Sequence, residues 1–169
     1  MKPMKLRKHL FVLPFLSLFI LGLSCDKDNN EEIINPPLPD PIQGADVVSV
    51  SVSKLSTNLF QFNVGIFSPD IDCSQYANWW EVVSEDGVLI GRRILAHSHV
   101  PPNFPQPFVR GASISIDSTT VVWIRGHMNT TGYKDGKAFR GSLATGFSET
   151  SIPDDFALDL DNEVPNCAF

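Results

Sequence analysis

The sequence predicts an all-β domain, an antiparallel β-sandwich of about seven strands over residues 45–169. Three observations carry this. Short runs with period-two apolar alternation recur from Val48 onward, and turn residues separate them. No ten-residue stretch after residue 45 has the 3.6-residue apolar period of a helix.

Val48-Ser49-Val50-Ser51-Val52-Ser53 alternates strictly, as a half-buried strand does. Ser56-Thr57-Asn58 makes a turn. Residues 59–67 form a second strand with Phe60, Phe62, Val64 and Ile66 on one face. Residues 79–83 form a third, and Glu85-Asp86-Gly87 supplies the Asp-Gly signal of a hairpin. A long strand follows over 88–100. Residues 113–116 and 119–128 are two more, joined near Asp117-Ser118, and 137–147 is the last. Seven short strands with turns between them suit a sandwich of the immunoglobulin or fibronectin type III kind, with a jelly roll as the alternative.

The residues before this domain read differently. Lys2, Lys5, Arg7 and Lys8 precede an apolar run over residues 10–23, and Ser24 then leads to Cys25. This is the layout of a secretory signal over residues 1–24. The apolar run falls short of the roughly 20 residues that span a bilayer, and Pro14 interrupts it. Leu21-Gly22-Leu23-Ser24-Cys25 resembles the lipobox of bacterial lipoproteins, with Gly22 where a leucine is usual. Lys27-Asp28 after the cysteine resembles the export signal of surface lipoproteins of the Bacteroidota. The resemblance implies cleavage before Cys25 and acylation of Cys25 by palmitate-type chains. Two or more acyl chains give stable anchoring. It implies an outer-membrane location at the cell surface, with the periplasmic face as the alternative. Residues 26–44, acidic and then rich in proline, read as a tether between lipid and domain.

Four of the 13 basic residues precede Cys25 and all 19 acidic residues follow it. The chain from Cys25 onward therefore has nine basic and 19 acidic residues, a net of −10. That charge repels nucleic acid and anionic headgroups. The expected partners are the membrane, through the lipid, and an unidentified protein or glycan. With Cys25 acylated, Cys73 and Cys167 remain, and in an oxidising compartment two leftover cysteines pair or stay as free thiols. Pairing is the expectation, and it would fasten the C-terminal tail to the domain.

Trp80-Glu81-Val82-Val83-Ser84-Glu85-Asp86-Gly87, Arg93-Ile94-Leu95-Ala96-His97-Ser98-His99 and Gln106-Pro107-Phe108-Val109-Arg110 resemble a family of small exported bacterial β-sandwich proteins. Arg125-Gly126-His127 and Gly132-Tyr133 fit the same pattern. The resemblance covers residues 60–147 and implies a fold and an exported location, but no activity.

His97-Ser98-His99 is the sharpest candidate for chemistry. On a strand, residues i and i+2 share a face about 6.5–7 Å apart, a spacing at which two imidazoles chelate zinc or copper. His127, on a later strand, would supply a third nitrogen. Arg93 and Arg125 share those faces and oppose a cation, so a polar network and a surface for an anionic or sugar ligand remain open as alternatives. No Gly-x-Ser-x-Gly elbow, His-Glu-x-x-His or glycine-rich phosphate loop is present, and no catalytic residue is assigned. Glu81 and Glu85 fall on one strand face, where solvent exposure is the expectation. Five acids lie within residues 154–163 without the spacing of an EF-hand, and a solvated segment is expected there.

Overall fold

The structure, a computed structural model, describes residues 43–160 and 166–168. The leader, Cys25 and tether residues 26–42 lie outside the described residues, as do Asp161 and Glu163 of the acidic tail.

The strands are β1 (Asp46–Ser56), β2 (Leu59–Phe67), β3 (Ala77–Ser84), β4 (Leu89–Ile94), β5 (Phe108–Ser115), β6 (Val122–Met128), β7 (Lys137–Ser142) and β8 (Gly146–Ser151). They form two sheets, ordered β1-β2-β5 and β4-β3-β6-β7-β8. Every pairing is antiparallel. The all-β, antiparallel, two-sheet expectation holds, with eight strands among the described residues rather than about seven. Residues 137–147 are not one strand but the start of a hairpin. Its connection, Leu143-Ala144-Thr145, lacks an Asn-Gly or Asp-Gly signal. Ser142 Oγ instead holds the turn by accepting from the Thr145 amide at 3.2 Å.

Other boundaries moved for local reasons. A register shift between Val47 and Ser49 turns Val47 inward, fully buried, and leaves Val48 40% exposed. Strand β4 ends at Ile94, six residues short of the expected Val100. The Leu95 amide donates to Asn78 O at 2.8 Å, and the ladder stops there. Strand β5 begins five residues early and pairs with β2 from Leu59↔Ser115 to Ile66↔Phe108. The Asp-Gly hairpin forms as expected. Gly87 sits at φ +78°, a left-handed conformation that costs a glycine little. Gly44 already belongs to the domain. It packs so closely on the 134–136 turn that a Cβ would lie 2.4 Å from Lys134 O.

The inner faces meet in a core containing Phe62, Val64 and Ile66 of β2, Trp80 and Val82 of β3, and Ile124 and Met128 of β6. Alternation along β3 sends Trp79, Glu81 and Val83 to the opposite face, which in an antiparallel sandwich normally meets water. All three are fully buried instead. A C-terminal strap, residues 153–160 ending in a 3-10 turn at Leu158–Leu160, covers that face. Phe156 of the strap packs on Trp123 with ring centroids 5.2 Å apart. Beyond the strap, Cys167 is disulfide-bonded to Cys73, and the Ala168 amide donates to Ala96 O at 2.6 Å.

Candidate functional site

The histidines named from the sequence fall in two places. His97 and His99 lie in the loop after β4, so strand alternation does not set their geometry. Their rings are brought together all the same, with centroids 4.5 Å apart. Polar groups shape this loop, one of them the fully buried Asp70 carboxylate. Asp70 accepts from the His99 amide at 2.7 Å and from the Ala77 amide at 2.9 Å. Gln106 donates to His99 O at 2.8 Å and accepts from the Ser68 amide at 3.3 Å. The His99 ring stacks on Phe108 of β5 with centroids 3.6 Å apart, and His97 lies 4.7 Å from Phe104. The peptide bonds Pro101-Pro102 and Gln106-Pro107 in this loop are cis.

Arg110 of β5 approaches the same ring, its Nη2 3.0 Å from His99 Nε2. A guanidinium has only donors, so Nε2 accepts and the proton of the neutral ring sits on Nδ1. Nδ1 faces Asp70 Oδ2 at 3.8 Å, beyond hydrogen-bond reach. Burial, then the Arg110 charge, then His97 bring the His99 pKa down to about 4.

This depression gives stability a defined pH dependence. An unfolded histidine titrates near 6.5. Between that value and about 4, the unfolded chain binds a proton that the folded chain does not. The His99 contribution is thus fully present above pH ~6.5 and is lost as the pH falls toward 4, a loss on the order of 3 kcal/mol. Urea unfolding at pH 7 and pH 4.5 should show the loss, and His99→Gln should flatten it. A slope unchanged in His99→Gln would assign it elsewhere.

His127 sits apart from this pair, on β6. It stacks on Trp79 with centroids 3.7 Å apart, and its Nδ1 lies 2.6 Å from Asn78 Oδ1. Tyr133 meets it edge-on at 4.6 Å. Among the described residues, no group of three or more His, Cys, Asp or Glu side chains is arranged to hold a metal ion.

A second constellation lies beneath the strap. Sheet register sets Glu81 directly opposite Arg92 on one side and Arg125 on the other. Arg92 donates to Glu81 Oε2 from Nε at 2.8 Å, and Arg125 to Oε1 from Nε at 2.9 Å. The arginines then reach the strap backbone. Arg125 donates to Phe156 O at 2.6 Å and Ala157 O at 2.8 Å, and Arg92 to Leu160 O at 2.6 Å. The Arg125 guanidinium lies 3.5 Å over the Tyr133 ring. Burial, then the Glu81 charge, push the Tyr133 hydroxyl well above the usual tyrosine range.

The expectation that Glu81 is exposed is therefore corrected. Glu81 is fully buried, and Glu85 in the hairpin turn is exposed and pairs with Arg140. A signal was available. Glu81 follows Trp79-Trp80 and precedes Val82-Val83, and Arg125 follows Val122-Trp123-Ile124. A lone charge inside an apolar strand fits burial with a partner better than a wet face.

A relative from the archaeon Halomicrobium mukohataei, named "Putative lipoprotein", is 34% identical over 93 residues. The aligned part is 54% of this chain and 44% of that protein, so the chain matches less than half the relative's length. No protein-family model matches the chain, and no solved structure matches it.

Proposed function

We propose that this chain is an exported lipoprotein, anchored through acylated Cys25, that displays a β-sandwich for binding or assembly rather than for catalysis. The observation that carries this is the order of features: a basic and apolar leader, Cys25, an acidic proline-rich stretch, then a disulfide-closed domain. The name of the Halomicrobium relative supports the lipoprotein part. In this reading residues 1–24 are the signal, 25–44 the lipidated tether, and 45–169 one domain. The three-and-five split of the strands, with β3 and β6 adjacent in the second sheet, supports an immunoglobulin or fibronectin type III-like sandwich. The Lys27-Asp28 pair supports the outer membrane of a Bacteroidota-type cell and the outward face.

Cys25→Ala should shift the protein from the membrane fraction to the soluble fraction and abolish labelling by an alkyne analogue of palmitate, with the domain still folded. Retention in membranes with labelling intact would sink the proposal. A zinc or copper site on His97, His99 and His127 draws less support, because Arg110 already holds His99 Nε2 and His127 packs with different partners. Stoichiometric zinc or copper in the purified chain would reinstate it.

A further inference from the structure

We propose that the recess between the 104–107 segment and the start of β5 binds a small aromatic carboxylic acid, its carboxylate on Arg110 and its ring against Phe104, Pro105, Pro107 and Phe108. This goes beyond lipid anchoring and does not depend on it.

Charge is the first ground. Arg92 and Arg125 share Glu81, Arg140 pairs with Glu85, and Lys137 with Glu149. Among the described residues Arg110 has no carboxylate partner, although acids outnumber bases across the chain. Lys54, Arg93 and Lys134 also lack one, but they are exposed, whereas Arg110 is half-buried. Of its five N–H groups, one bonds Val109 O at 2.9 Å and one His99 Nε2 at 3.0 Å. Both acceptors are neutral, so the charge is unmet and fork-shaped donors remain for a planar anion.

Shape is the second ground. The recess has a volume of about 260 Å³ and is lined by His99, Arg110 and five apolar residues. Ligand pockets usually start near roughly 300 Å³, so this one suits a molecule of one ring rather than a chain segment. Its apolar walls favour a ring, and its single arginine favours one negative charge over a phosphate dianion. His99, Gln106 and Asp70 fix the loop from behind, so the walls are set before any ligand arrives. The chain's net negative charge opposes an anion at long range, which keeps the affinity modest.

The test uses the full chain purified in a non-ionic detergent, with phenylacetate and phenylacetamide as probes. The pair differ in charge and share a ring. Phenylacetate should bind with a dissociation constant of about 1 mM or tighter and shift the amide signals of Val109 and Arg110. Phenylacetamide should bind at least about tenfold more weakly. Arg110→Gln should bring the two within about twofold, and Phe104→Ala should weaken both. Equal binding of the two probes by the wild-type chain, no binding of either by about 10 mM, or a preference unchanged in Arg110→Gln would overturn the proposal. The wild-type comparison decides even if Arg110→Gln folds poorly.

Discussion

Glu81→Ala is expected to lower the stability of the domain by roughly 3–5 kcal/mol, the cost typical of removing one partner from a buried ion pair. The loss comes less from the missing contacts than from what stays behind. Arg92 and Arg125 would keep their charges with the shared carboxylate gone, with side chains only 6% and 0% exposed. Glu81→Gln keeps the volume, so the difference between the two variants separates lost charge from lost packing. Pairing Glu81→Ala with Arg125→Ala should cost less than the two single changes summed, with a coupling of about 0.5–3 kcal/mol. Urea unfolding of the four chains measures this directly. A loss under about 1 kcal/mol for Glu81→Ala would mean that the carboxylate does not bridge the arginines in solution. The same variants report on the strap, because the arginines also hold the carbonyls of Phe156, Ala157 and Leu160. Faster hydrogen exchange at the Phe156 and Leu160 amides, which bond Pro153 O and Ala157 O, should accompany the loss.

Replacing both Cys73 and Cys167 by serine is expected to cost about 2–5 kcal/mol and lower the melting temperature by roughly 10–15 °C. The bond joins residues 94 apart in sequence, and a loop of that length removes much conformational freedom from the unfolded chain. It also has a local task. Beyond the strap the tail is anchored by the disulfide and by the Ala168–Ala96 bond. The double variant should therefore loosen residues 153–168 first, seen as early proteolysis there while the sheets stay protected. A melting temperature within about 2 °C of the parent would show that the core and the arginine contacts alone hold the fold.

Much of the architecture is local and was legible. Alternating Phe60, Phe62, Val64 and Ile66 needs only its own period to mark an inward face, and all four are buried. The opposite orientations of Trp79 and Trp80 follow from adjacency on one strand, and both are fully buried, one in the core and one beneath the strap. The candidate sites were less legible. The rings of His97 and His99 come together, but in a loop held by Asp70 and Gln106, which strand periodicity does not describe. The missed hairpin at residues 143–145 turns on a serine rather than a glycine pair.

By itself the sequence determined the all-β class, the inward face of β2, the Asp-Gly hairpin after β3, and how the charge divides at Cys25. These follow from backbone geometry and counting, which act within a few residues. The tertiary structure alone decided that the outer face of the second sheet is covered, that Glu81 meets two arginines there, that His127 parts company with His97 and His99, and that Arg110 faces a recess without a carboxylate. The first two depend on strand register and on strap carbonyls more than 30 residues distant from Arg125 in the chain, and the last two on how the loop after β4 folds against β5. A side chain's charge sets what it needs when buried, but only packing between distant segments determines whether it is buried and what meets it there.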